Sequence, residues 1–152
     1  MKRMIGLLVM VVGVVGFNGC GGDSDSDSPT GPSNEVTKGP DGQTLEVGTI
    51  KWDNGNIKVE FQYFRDIAGK VVQYGYYNDY YESGKVKWES NYVYGKLEGK
   101  SVWYYESGEV EREGNYVDGK RDGKSVYYDE EGNITRERCW EMGEEVDCPK
   151  DE

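Results

Sequence analysis

Histidine is absent from the 152 residues. That removes the imidazole base of a Ser–His–Asp triad and every zinc site that needs a histidine ligand. Cations are scarce as well, 18 Lys plus Arg against 29 Asp plus Glu, so no broad basic stripe exists to neutralise phosphates and nucleic acid is not an expected partner. Good helix formers are few. Residues 20–152 hold one Ala (Ala68) and two Leu (Leu45, Leu97), which starves a helical bundle or a doubly wound α/β enzyme of its material. Gly, at 22, and Tyr, at 13, stand out instead, with Val beside them, and together with Thr these suit turns and strands. The expectation is an all-β chain with no cofactor and no metal.

Long apolar runs are missing beyond the N-terminus. There, Lys2 and Arg3 precede an apolar stretch over residues 4–17, followed by Asn18, Gly19 and Cys20. As a helix that stretch spans about 21 Å, short of the ~30 Å hydrocarbon core. A basic start, an apolar centre and a small residue before a cut describe a secretory signal, here residues 1–19. Gly19-Cys20 resembles the bacterial lipobox, although Phe17 and Asn18 replace its usual Leu and small residue. The resemblance implies that Cys20 is lipid-modified and that the chain is a membrane-anchored envelope lipoprotein, in the outer membrane if the cell has one. Residues 20–34, with Asp23, Asp25 and Asp27 among Gly, Ser and Pro, read as a disordered acidic tether. A calcium loop is disfavoured because Ser28 stands where Gly belongs and Asn34 where a bidentate Glu belongs.

The body of the chain, residues 35–148, repeats. Residues 77–100 and 101–124 align without gaps and agree at 14 of 24 positions. Tyr80-Tyr81-Glu82-Ser83-Gly84 returns as Tyr104-Tyr105-Glu106-Ser107-Gly108, and Asn91-Tyr92-Val93 as Asn115-Tyr116-Val117. A further shift of 24 carries Gly132, Arg136 and Gly143 onto Gly108, Arg112 and Gly119, with agreement falling to 8 of 24. An earlier, decayed copy starts at Trp52, with about five extra residues between Phe64 and Tyr80. Each unit predicts a β-hairpin closed by a three-residue loop such as Glu106-Ser107-Gly108, where Gly supplies positive φ. A longer turn is expected over residues 118–123. Alternation puts Val86, Trp88 and Tyr92 on one face, and places Trp103 and Val102 on opposite faces. Eight to ten strands in sequential order follow, forming an elongated antiparallel β-meander of stacked hairpin repeats. Residues 149–152 are a tail.

Residues 52–143 resemble the MORN-repeat family in its bacterial variant, with Tyr-Tyr-x-x-Gly-x-Val and Asn-Tyr-x-x-Gly-Lys-x-x-Gly units. The resemblance implies a twisted β-meander that acts as a binding or scaffolding module, and variants of this kind are often labelled antitoxin-like.

With Cys20 spent on lipid, Cys139 and Cys148 are expected to form a disulfide in an exported chain, contributing about 2–3 kcal/mol and pinning the last strand. The densest candidate binding surface is Tyr74, Tyr76, Tyr77, Tyr80 and Tyr81, together with Trp103. These rings either anchor a protein or glycan partner or form cross-strand ladders that hold a thin sheet together. Open sheet edges leave edge-to-edge self-association available. Three functions are weighed: a non-enzymatic, lipid-anchored binding scaffold; an antitoxin or immunity protein whose acidic surface meets a basic toxin; and a hydrolase using carboxylates such as Glu106, Glu113 and Asp122. The first is favoured, because the carboxylates recur at turns and solvent-facing strand positions.

Overall fold

Two kinds of glycine-dependent turn fold this chain into one continuous antiparallel sheet. The computed structural model describes residues 38–149; the signal segment, Cys20, the tether through residue 34 and residues 150–152 lie outside the described residues. After a short turn at Pro40–Gly42 come β1 (Glu46–Lys51), β2 (Ile57–Arg65), β3 (Val71–Tyr80), β4 (Val86–Val93) and β5 (Lys96–Leu97). They are followed by β6 (Gly99–Tyr104), β7 (Val110–Val117), β8 (Lys120–Arg121), β9 (Gly123–Tyr128), β10 (Ile134–Glu141) and β11 (Glu144–Val146). The strand order is β1-β2-β3-β4-β6-β7-β9-β10-β11, with β5 on β4 and β8 on β7. This is the expected all-β meander, open at β1 and β11, with eleven strands among the described residues instead of eight to ten because the two-residue β5 and β8 lie within what reads as turn.

The first kind of turn is the three-residue loop. Gly84 N–H donates to Tyr81 O (2.9 Å) and Tyr81 N–H to Lys85 O (2.8 Å). The same pair of bonds recurs from Gly108 to Tyr105 and from Gly132 to Asp129. In each the glycine has φ between 81° and 110°, a region that penalises a Cβ. The expected longer turn at residues 118–123 has a different form. Asp118 and Gly119 make a two-residue turn with φ of 53° and 82°, the I′ geometry that matches strand twist. β8 then pairs with β7, and Gly123 re-enters the sheet. Tyr94-Gly95 and Met142-Gly143 repeat this turn. Between β2 and β3 a loop closed by Asp66 N–H to Lys70 O (3.0 Å) takes its place, together with a register shift beside Gly75. These two features absorb the extra residues of the first unit.

Successive units are stitched by their own repeated residues. Tyr81 OH donates to Tyr104 O (2.7 Å) and Tyr105 OH to Tyr128 O (2.8 Å). Trp52 Nε1–H donates to Tyr80 O (3.3 Å), so the decayed first copy keeps the bond with an indole. On the opposite edge Gly95, Gly119 and Gly143 N–H donate to Gln73, Leu97 and Arg121 carbonyls (2.8–2.9 Å).

A single-layer sheet has little conventional core. The buried apolar residues are Leu45, Val59, Tyr63, Phe64 and Cys139, joined by Gln62, Ser90, Ser101 and Ser125. Buried serines in mid-strand mark where neighbouring rings lean over small side chains. Ser101 is 1% exposed. Gly48 is the same device at the N-terminal end, since a Cβ there would lie 2.6 Å from the Phe61 ring. Gly48→Val is therefore expected to lower stability by about 1–3 kcal/mol, and urea unfolding would show it as a lower midpoint at unchanged m.

One expectation needs correction. A register shift at Asp79/Tyr80 pairs Val86 with Tyr80. The bulge reverses side-chain parity, so Val86 leaves the Trp88 and Tyr92 row and joins the opposite face.

The cysteine pairing is as expected. Cys139 on β10 and Cys148, just beyond β11, are disulfide-bonded with Cα atoms 5.0 Å apart. The bond ties the outermost strand, which pairs with β10 alone, back to the sheet. Cys148→Ser should speed hydrogen exchange across β11 while leaving the amides of β4–β9 as protected as before, because stability in repeat sheets is carried by neighbours.

Candidate functional site

Register alone sorts the side chains onto two chemically distinct faces. Cross-strand partners run Asp79, Trp88, Trp103, Arg112, Tyr127, Arg136 across β3, β4, β6, β7, β9 and β10. Trp88 and Trp103 stack with ring centroids 5.4 Å apart and planes 9° from parallel. The Arg112 guanidinium lies 3.9 Å from the Trp103 centroid. Trp103 is thus bracketed by an indole from β4 and a cation from β7. Tyr77 extends the row on the other side, 5.0 Å from Trp88, 5.7 Å from Tyr92 and 6.4 Å from Phe61.

All five arginines of the described residues share this face. Arg65 lies over Tyr63 (5.6 Å), Arg121 over Trp140 (4.7 Å) and Arg136 over Tyr127 (6.0 Å). Arg138 pairs with Glu145 at 2.9 Å and Arg65 with Glu46 at 3.5 Å. Arg112, Arg121 and Arg136 make no ion pair among the described residues. Arg121 Nε–H instead donates to Tyr116 OH (3.4 Å). A shallow depression sits among Trp103, Tyr116, Tyr127, Arg112 and Arg121, over Gly114 and Ser125. Both small residues are buried, and a Cβ on Gly114 would meet Ser125 Oγ at 2.7 Å.

The other face repeats a glutamate. Tyr76 OH donates to Glu60 (3.1 Å), Tyr104 OH to Glu89 (2.8 Å) and Tyr128 OH to Glu113 (3.1 Å). Lys100 pairs with Glu113 at 2.7 Å and Lys124 with Glu137 at 2.6 Å. Burial, reinforced by the adjacent carboxylate, pushes the phenols of Tyr76, Tyr104 and Tyr128 above their ordinary range.

The tyrosines singled out from the sequence do not form one platform. Tyr77 and Trp103 share the arginine face, while Tyr76 and Tyr80 lie on the glutamate face. Tyr74 is edge-on to Phe64 (6.0 Å) and Tyr94 (5.6 Å) on that same side. Tyr81 sits at the turn, its hydroxyl bonded to Tyr104 O. The carboxylates considered for hydrolysis are also separated. Glu106 is at an exposed loop, Glu113 is held by Tyr128 and Lys100, and Asp122 accepts Met142 N–H at 3.1 Å on the far edge.

Sequence reasoning did not single out the arginines as functional. The signal was present, since Trp88, Arg112 and Arg136 occupy one repeat position at intervals of 24. Among the described residues no group of three or more His, Cys, Asp or Glu could hold a metal ion, and no helix is long and apolar enough to cross a membrane.

Comparison with known proteins agrees with the repeat geometry. No curated protein matches the chain. The family described as MORN repeat variant matches twice, at residues 97–118 and 121–141. Those stretches run from β5 into the turn after β7 and from β8 through β10, so the sheet from β5 to β10 is similar to MORN-variant repeats, a class that suggests a repeat-based binding scaffold.

Proposed function

We propose that this is a non-enzymatic, lipid-anchored protein of the bacterial cell envelope whose repeat sheet is a protein- or glycan-binding scaffold. The observation that carries the scaffold is the arginine face: a continuous, half-exposed row of rings and guanidiniums across six strands. Rigid rings with a polar edge lose little entropy on contact, and stacked guanidiniums keep their N–H edges free for an acceptor. The anchor rests on Gly19-Cys20 after the apolar segment, and the outer membrane is its proposed destination in a cell that has one. Incorporation of labelled palmitate should disappear, together with membrane retention, in Cys20→Ala. Retention unchanged by that substitution would refute the anchor. For the scaffold, affinity capture from envelope extracts should recover a partner with the native chain and lose it with Tyr127→Ser, which removes an arginine-face ring near the depression. Recovery of the same partner by both chains removes this face from the reading.

The net charge of −11 and the glutamate face support a second reading, an antitoxin or immunity protein that steers toward a basic toxin. It predicts that co-expression rescues cells from a toxin encoded next to this chain. Toxicity undiminished by co-expression excludes it.

A further inference from the structure

In a chain of net charge −11, cations would be expected to sit beside carboxylates. Three do not. Arg112, Arg121 and Arg136 make no ion pair among the described residues, while Glu89, Glu113 and Glu137 are on the opposite face. There, hydroxyls or lysines bond all three carboxylates (2.6–3.1 Å). The sheet puts these three arginines and the repeated glutamates on opposite sides, although Glu46, Asp79 and Glu145 share the arginine face and Lys100 and Lys124 the glutamate face. At physiological salt the screening length is about 8 Å, so a ligand on the arginine face is largely shielded from the repeated glutamates.

We propose that the arginine face between β7 and β10 docks an extended acidic polypeptide segment of another protein. This rests on the scaffold reading above and names the chemistry of its partner. Three observations carry it. First, Arg112 and Arg121 lie over rings before any ligand arrives, and the exposed Arg136 reaches one at the outer limit of such a contact. Arg112 is on Trp103 at 3.9 Å, Arg121 on Trp140 at 4.7 Å and Arg136 on Tyr127 at 6.0 Å. A ring under the flat side leaves the N–H fork to a carboxylate. Second, Arg112 and Arg136 occupy equivalent positions on β7 and β10, with β9 between. That places their backbones about 9.6 Å apart, close to the ~9.3 Å that three residues span in a polyproline II segment, whose three-residue turn returns every third side chain to the same side. Carboxylates at every third position therefore match the cations. Third, the depression over Gly114 and Ser125, with room for about one water molecule, lies beside Arg112 and Arg121, so a carboxylate resting at its mouth meets two cations. Nucleic acid and anionic lipid also carry negative charge. A long polyphosphate, however, would meet an acidic protein as a whole, whereas a short acidic segment meets only the local cations.

The test uses the full chain in detergent and a synthetic peptide with Glu at every third position, with Gln in place of Glu as its control. Titration calorimetry should detect the Glu peptide and not the Gln peptide. Arg121→Gln and Arg136→Gln should each weaken binding roughly tenfold or more, the scale expected for a charged hydrogen bond. Arg136→Lys should recover part of the loss, and added salt should weaken the native complex. Arg136 is exposed, so an unchanged melting temperature in its variants separates lost binding from lost fold. Equal affinity for the two peptides overturns the proposal. So does stronger binding of oligothymidylate or of phosphatidylglycerol vesicles, and so does binding seen only after removal of residues 21–33, which would make the chain's own tether the occupant. If the envelope partner is still captured by the Arg→Gln variants, the scaffold stands and its acidic partner does not.

Discussion

Trp103→Ala is expected to lower the stability of the sheet by about 3–4 kcal/mol, near the lower end for a large aromatic truncation because the ring is only partly buried. The indole is where three contacts meet: the Trp88 stack at 5.4 Å, Arg112 at 3.9 Å and Tyr116 at 6.4 Å. β4 and β6 share just two registered pairs, Trp88 with Trp103 and Glu89 with Val102. Loss of the ring therefore weakens the seam between two units as well as the packing within one. Urea unfolding should show either a lower midpoint or, if the seam parts first, two transitions in place of one. Trp103→Phe should recover part of the loss by keeping a flat ring under Arg112. A Trp103→Ala protein as stable as the parent would mean that the ring row is decoration.

The second large effect is loss of the fold in alkali. Nine phenols, those of Tyr63, Tyr76, Tyr77, Tyr80, Tyr81, Tyr92, Tyr104, Tyr105 and Tyr128, are raised above the ordinary value of 10.0, in every case chiefly by burial. A raised folded-state value means that the native state holds the proton more tightly than the unfolded chain. The stabilisation is complete below the unfolded value near 10 and is lost as pH rises through the folded values. Because several phenols share the effect, stability should fall steeply above pH 10 while varying little from neutrality to that point. Tyrosinate absorbance should rise late and together with the loss of the far-ultraviolet β signal. Glu89→Gln removes the negative partner of Tyr104, so this phenol should ionise earlier. Gradual ionisation near pH 10 with the sheet intact would contradict the burial of these hydroxyls.

Much of the architecture is legible in the sequence because it is written in local chemistry. Gly84, Gly108 and Gly132 mark the three-residue loops, and the 24-residue spacing of Tyr81 and Tyr105 marks the stitching bonds. The parity of Val102 and Trp103 predicts opposite faces, and the sheet keeps it. What was missed depends on backbone features that change parity or length. Val86 changes sides through a bulge that no periodicity announces. Residues 118–123 look like one long turn because Lys120 and Arg121 carry no strand signature, and only pairing with β7 makes them β8. The tyrosine cluster splits because consecutive residues of a strand point to opposite faces, so density along the chain is not density on a surface. The arginine face emerges only when strands far apart in sequence are laid side by side.

The central claim is that one rung of side chains, from Trp88 through Trp103 to Arg112, holds neighbouring repeats together across an open sheet. Nuclear magnetic resonance tests it most directly. Overhauser contacts between the Trp88 and Trp103 rings, with Arg112 side-chain resonances shifted by the current of the Trp103 ring, are the predicted result. Well-dispersed β-sheet spectra in which those rings show no mutual contact, and Arg112 resonates at its solvent-exposed position, would contradict it.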